Sequence, residues 1–204
     1  MRCLTLAVAM VTAARAAAQP PPRVEQQQSG TSARLQAVSP ASDRIVWASG
    51  IRGTFVRTLD GGVTWRVGIV PGADSLEFRD VHGFDGERAV LLAAGPGDRS
   101  RIYHTADGGA SWSLVFTNSE PRAFYDCFDF RGDVGVVVSD AVDGRFPLLR
   151  TTDGGRSWAR WTPPGYESLA AQEGEGAFAA SGTCLVLASY ARRSRLIARE
   201  TGGA

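Results

Sequence analysis

The sequence predicts an all-β repeat protein, a β-propeller of four-stranded antiparallel blades. Three observations predict it. A nonapeptide is written three times, as RTLDGGVTW at 57–65, HTADGGASW at 104–112 and RTTDGGRSW at 150–158. Its aspartates keep a nearly fixed period, 47 residues from Asp60 to Asp107 and 46 from Asp107 to Asp153, and a period of that size marks a repeat architecture. Between the copies the text breaks into short β-prone runs separated by turn dipeptides. There are four runs per period, the content of one propeller blade.

The N-terminus is of a different composition. Met1 and Arg2 lead into an apolar stretch from Cys3 to Val11, and Ala16 and Ala18 form an A-x-A site. This is the pattern of a secretory signal peptide over residues 1–18, cleaved after Ala18, and it predicts a secreted or periplasmic protein. Residues 19–23, QPPPR, read as a Pro-rich extended leader. The chain of 204 residues carries 22 basic and 21 acidic residues, and every basic one is Arg. Losing Arg2 and Arg15 with the signal moves the net charge from +1 to −1. Near-neutrality argues against a nucleic-acid or membrane-surface footprint.

Residues 24–30, VEQQQSG, stand where an outermost strand stands before the next unit, and read as a ring-closing strand. Blade one spans 34–70, blade two 76–118 and blade three 124–162. In blade two the four runs are LEFRDVHGF, RAVLLAAG, RIYHTA and SWSLVFTN. A partial fourth blade spans 167–204, with RLIAR as its third strand. RETGGA then stands as a degenerate repeat with Thr201 in the place of Asp. Each nonapeptide falls at the hairpin between third and fourth strands. Its two glycines suit the positive φ of a tight turn. Its Asp accepts backbone N–H groups of its own turn, as in an Asx-turn, and its Ser or Thr joins the same network. Its Trp opens the outermost strand and buries its ring against a neighbour. The structural set is therefore Asp60, Gly62, Thr64 and Trp65; Asp107, Gly109, Ser111 and Trp112; and Asp153, Gly155, Ser157 and Trp158. These acids hold shape and are not assigned to catalysis.

The pattern from Thr58 to Trp65, repeated from Thr105 to Trp112 and from Thr151 to Trp158, resembles the Asp-box, or bacterial neuraminidase repeat. Sialidases, sortilin-type receptors and photosystem II stability/assembly-factor-like propellers share that repeat. The approach from Ser29 to Gly50 is most similar to the assembly-factor-like group. The resemblance covers residues 24–204 and implies a propeller with more blades than this chain supplies. The chain is therefore expected to be part of a larger ring. The alternative is a closed four-bladed ring completed by residues 24–30.

In an exported chain Cys127 and Cys184 remain, and two cysteines in an oxidising compartment can pair. Cys127 is in phase with Val81 on an innermost strand. Cys184, counted back from Thr201, falls in phase with Val90 and Val136 on second strands. A disulfide between them and two separate buried thiols both stay open. No metal-ligand spacing occurs, since His82 and His104 are isolated, and no cofactor motif occurs. GEGAFA at 174–179 matches a dinucleotide fingerprint in letters only, lacking the strand-to-helix context. Polar residues on innermost strands or loops, Arg79, Asp80, His82, Asp126 and Arg145, are the candidates for contacting a partner. The reading is an exported, non-catalytic scaffold for a protein partner. The alternative is a sialidase-like glycoside hydrolase or glycan-binding module with part of its site missing, since such hydrolysis needs two placed carboxylates.

Overall fold

The computed structural model describes residues 23–168, 170–172, 174–178, 182–190 and 193–198. The signal peptide, most of the leader and the degenerate repeat at 201–203 lie outside them. The first sheet joins β1 (Leu35–Pro40), β2 (Val46–Gly50), β3 (Thr54–Thr58) and β4 (Arg66–Ile69) in sequential order. The second joins β5 (Phe78–Gly83), β6 (Ala89–Ala93), β7 (Arg101–Thr105) and β8 (Ser113–Thr117) in the same order. The third joins β9 (Tyr125–Arg131), β10 (Val134–Ser139), β11 (Leu148–Thr151) and β12 (Ala159–Arg160). Every pairing is antiparallel. A hairpin of β13 (Leu185–Tyr190) and β14 (Arg193–Ala198) follows.

The sheets stack face to face, as blades do. Alternate residues of one strand point to opposite sides, and here the two sides serve two different cores. Leu91 and Tyr103 of the second sheet pack back on Trp47 and Phe55 of the first. Their chain neighbours Val90, Leu92 and Ile102 pack forward on Phe128, Val137 and Leu149 of the third. This explains why β6 reads as an unbroken apolar run, AVLLA, with all five residues buried. A third core joins Val136, Val138 and Leu148 to Leu185.

The innermost strands lie beside one another, β5 beside β1, β9 beside β5, and β13 beside β9. This corrects the phase that placed Cys184 with the second strands Val90 and Val136. It also makes 193–198 the strand paired directly with β13, where RLIAR was expected to be a third strand. The physical cause is the connection from β12 to β13, which is far longer than those before β5 and β9. It carries a short 3-10 turn at Tyr166–Ser168, pinned where the Tyr166 hydroxyl donates to the Phe146 carbonyl at 2.7 Å. Counting back from Thr201 could not register that insertion.

Residues 24–30 form no strand. They run as a strap over the first sheet's repeat turn. The Gln27 amide donates to the Gly61 carbonyl at 3.2 Å and accepts from the Trp65 indole N–H at 3.2 Å.

Candidate functional site

Each repeat turn is a closed hydrogen-bond clasp, and the three copies agree to within about 0.2 Å per bond. In the second copy the Thr105 hydroxyl donates to Asp107 Oδ1 at 2.8 Å and accepts from the Gly109 N–H at 3.0 Å. Asp107 Oδ1 also accepts from the Ser111 N–H at 2.9 Å, and Oδ2 from the Ser111 hydroxyl at 2.5 Å. Thr58, Asp60, Gly62 and Thr64 repeat the set in the first copy. Thr151, Asp153, Gly155 and Ser157 repeat it in the third. Both oxygens of every clasp carboxylate are thus committed.

The carboxylates respond accordingly. The Thr64 hydroxyl and N–H hold Asp60 down to about 2, and those of Ser111 do the same for Asp107. Partial burial pushes Asp153 up, but the Thr151 and Ser157 hydroxyls outweigh it and leave it at about 2.

The glycines at the turn have two reasons to lack a side chain. Gly108 and Gly109 sit at φ 70° and 78°, in the left-handed region. A Cβ on Gly108 would also collide with the Arg57 guanidinium of the preceding sheet, and one on Gly109 would lie 2.6 Å from the Phe55 ring. The clasp is therefore pressed against its neighbour. Trp112 completes that contact edge-on, 5.1 Å from Phe55 and 6.2 Å from Trp47 between ring centroids. Trp158 stands 5.7 Å from Phe130. Trp65 has the strap instead of a sheet.

A second set of polar groups runs along the innermost strands. The Ser39 hydroxyl on β1 accepts the Gly83 N–H of β5 at 3.0 Å. Asp80 on β5 accepts the Phe128 N–H of β9 through Oδ2 and its neighbour Val81 N–H through Oδ1, both at 2.8 Å. Asp129 on β9 accepts the Leu187 N–H of β13 through Oδ2 at 2.6 Å and the Phe130 N–H through Oδ1 at 2.8 Å. Each inner strand lends a side chain to the main chain of the next, so the stitches join sheets that share no backbone ladder. Asp80 is buried, and desolvation pushes its carboxyl well above the usual range against those two N–H groups.

The remaining candidates do not converge on one point. His82 is stacked 4.6 Å from Phe130 and edge-on to Phe84 at 4.6 Å; burial lowers its basicity, partly offset by the Asp129 charge. Asp126 is buried on β9. Arg79 pairs with Glu77 at 3.1 Å and lies 5.9 Å over the Phe124 ring. Arg145 pairs with Glu167 at 2.7 Å and lies 5.9 Å over Tyr166. Cys127 and Cys184 are joined as a disulfide with Cα atoms 6.1 Å apart, tying β9 to the start of β13. Thr105, Arg57, Ser39 and Gln27 act in these networks without having been singled out by residue type. Only the threonine carried a signal, since it recurs in the repeat. Among the described residues no group of three or more His, Cys, Asp or Glu side chains is placed to hold a metal ion. Two open depressions indent the loop face. One of about 330 Å³ is rimmed by Arg34, Arg52, Asp74 and Glu77. The other, about 690 Å³, is rimmed by Arg122, Asp140, Gln172 and Glu175.

No family model matches the chain, and no curated protein matches it in sequence. Solved structures do. A structure described as YCF48 bound to D1 peptide is 24% identical with a TM-score of 0.51, over 65% of this chain and 42% of that one. YCF48 from Cyanidioschyzon merolae is 19% identical with a TM-score of 0.51, over 67% and 42%. A GH74 xyloglucanase from Xanthomonas campestris is 17% identical with a TM-score of 0.43, over 59% and 19%. The YCF48 likeness shows the fold, an all-β propeller of four-stranded antiparallel blades. The chain spans less than half the length of either YCF48 structure.

Proposed function

We propose that this chain is an exported, non-catalytic propeller segment that binds a protein partner, an interaction or assembly scaffold of the kind its repeat resemblance implies. One observation carries the reading. Five of the acids that a residue-type search would nominate for turnover are already engaged by the fold. Asp60, Asp107 and Asp153 close their own turns, and Asp80 and Asp129 each accept two main-chain N–H groups. Glycoside hydrolysis requires one carboxyl free to donate a proton and a second free to attack or to activate water. A peptide-binding role is favoured by the YCF48 structure described with D1 peptide. The repeat turns and inner stitches leave the loop faces, with Arg52, Arg122 and Arg145, to meet such a partner.

The test pairs two assays on the purified chain. Incubation with fluorogenic sialosides and other glycosides is expected to give no turnover above buffer. Titration with the D1 peptide as probe is expected to give saturable binding. Turnover that disappears in Asp126→Asn or Asp129→Asn, with the fold intact by circular dichroism, would overturn the scaffold reading. Export is read separately. Expression in a periplasm-competent host is expected to yield a mature N-terminus at Gln19, and a retained Met1 contradicts it.

A further inference from the structure

Each sheet presents an equivalent cross-strand row to the sheet that follows, and the row changes chemistry along the chain. In the first sheet it is Ser39, Trp47 and Arg57, registered side by side on β1, β2 and β3. All three reach the main chain of the second sheet. The Ser39 hydroxyl accepts the Gly83 N–H at 3.0 Å, the Trp47 indole donates to the Asp85 carbonyl at 2.7 Å, and the Arg57 guanidinium donates to the Gly86 carbonyl. None of these groups changes charge between about pH 4 and about pH 9.

The equivalent row of the second sheet is His82, Val90 and His104. It holds both histidines of the chain, one on either side of Val90. The row faces the third sheet. A Cβ on Gly155, in the third repeat turn, would lie 2.6 Å from the Val90 side chain. The His82 ring stacks on Phe130 of β9. His104 is 8% exposed and lies in the field of the third turn, through Arg156 and Asp153.

The surroundings favour the uncharged rings. Burial holds both imidazoles below their ordinary value of 6.5. Arg156 and Arg88 lower His104 further, against a partial offset from Asp153. Asp153 is committed to its own clasp, and Arg88 is engaged by Asp85 at 2.8 Å and Asp133 at 3.8 Å. Facing His82, the third sheet offers Asp129, which already accepts two main-chain N–H groups. Asp80, two residues along β5, is bonded in the same way. Protons added to this row therefore place two poorly solvated cations in the seam. Opening the seam returns both rings to water. The stability that the neutral rings confer is complete above pH 6.5 and is lost as pH falls through their lowered values.

We propose that the junction between the second and third sheets is an acid-sensitive hinge, closed while His82 and His104 are neutral and loosened when they gain protons. The junction between the first and second sheets does not respond. Acidity below about pH 6 then sets how freely the third sheet's loop face moves against the second's. The hinge is independent of the scaffold reading, since it needs neither a partner nor a catalytic group.

Each junction carries its own reporter, a main-chain N–H donated to a side chain across it. Gly83 reports the first junction, through Ser39, and Phe128 reports the second, through Asp80 at 2.8 Å. The test is amide hydrogen exchange of the purified chain, resolved by NMR and corrected for intrinsic rates. Between about pH 7 and about pH 5, where an imidazole ordinarily takes up its proton, protection at Phe128 is expected to fall at least about tenfold, and that at Gly83 to change less than about twofold. Asp80 itself cannot produce this fall, because its raised carboxyl gives the opposite pH dependence. In the double variant His82→Phe/His104→Gln, protection at Phe128 is expected to be independent of pH. If that variant fails to fold, each single variant should remove part of the dependence. Constant protection at Phe128, an equal loss at Gly83, or a dependence undiminished in the variants would each overturn the proposal.

Discussion

Replacing Thr105 with valine isolates the chemistry of one clasp. The substitution is close to isosteric and keeps the β-branch that suits a strand, so shape and propensity change little. What is lost is a single oxygen at a residue only 1% exposed. That oxygen donates to Asp107 at 2.8 Å and accepts from Gly109 at 3.0 Å, with a longer bond from the Asp107 N–H at 3.3 Å. Water can replace the donor at the exposed carboxylate. It cannot easily reach the Gly109 N–H, which is left facing methyl groups behind the Phe55 ring. An orphaned buried donor costs about 1–3 kcal/mol and the Gly109 N–H is half-buried, so a destabilisation of about 1 kcal/mol is expected. With a urea slope of about 1–3 kcal/mol per molar, the unfolding midpoint falls by about 0.5 M. The assay is urea unfolding followed by tryptophan fluorescence and circular dichroism together. Thr117→Val, at an exposed position of β8, serves as the control and is expected within about 0.5 kcal/mol of the parent. Thr105→Ser restores the oxygen and should recover most of the loss. A Thr105→Val midpoint indistinguishable from the control, with an unchanged slope, would refute the clasp as a source of stability.

Acid should loosen the clasps in a defined window. Asp60, Asp107 and Asp153 are held near 2 when folded against about 3.8 otherwise, so their contribution is complete above about pH 4 and is lost as pH falls toward about 2. Urea midpoints are expected to drop across that window and to flatten when all three acids are changed to Asn; a flat parent profile contradicts this. Asp80 has the opposite sign. Its folded carboxyl is raised, so its contribution is full below the ordinary Asp range and fades as pH rises through the raised value. The stability of Asp80→Asn relative to the parent should therefore climb from pH 4 to pH 8, and a constant or shrinking difference argues against it. The Cys127–Cys184 bridge closes a separation of 57 residues, for which the chain-entropy relation gives about 4 kcal/mol. Reductant should lower the unfolding midpoint and speed hydrogen exchange at 185–190 more than at 89–93. Unchanged stability in reductant would count against a constraining role for the bridge.

The blades are legible in the sequence because their demands fall on residue types. A turn at positive φ asks for glycine, so Gly61 and Gly62, Gly108 and Gly109, and Gly154 and Gly155 recur in print. A strand buried on both faces asks for an apolar run, and β6 shows one. The inner stitches make no such demand on their recipients. Phe128 and Leu187 contribute main-chain N–H groups, which every residue except proline possesses, so nothing in their identity announces the bond. The accepting aspartates are out of phase as well. Asp80 is in repeat phase with Asp126, whereas the stitch from β9 comes from Asp129, so aligning the units would not have paired them. The place of β13 was hidden for another reason. A connection can lengthen at little cost, about 0.6 kcal/mol per doubling, so the insertion before β13 broke the count without disturbing the fold.

These gaps bear directly on function. Acids lining the inner strands of a propeller invite a catalytic reading from type and location alone. Asp80 and Asp129 meet both conditions, yet each has both oxygens occupied by N–H donors along the seam between sheets. Displacing either to serve a substrate would open the junction that positions it. An inner-strand acid in this architecture is thus a functional candidate only where an oxygen is left over after the seam is satisfied, and that criterion requires the register between blades, which the repeat period does not supply.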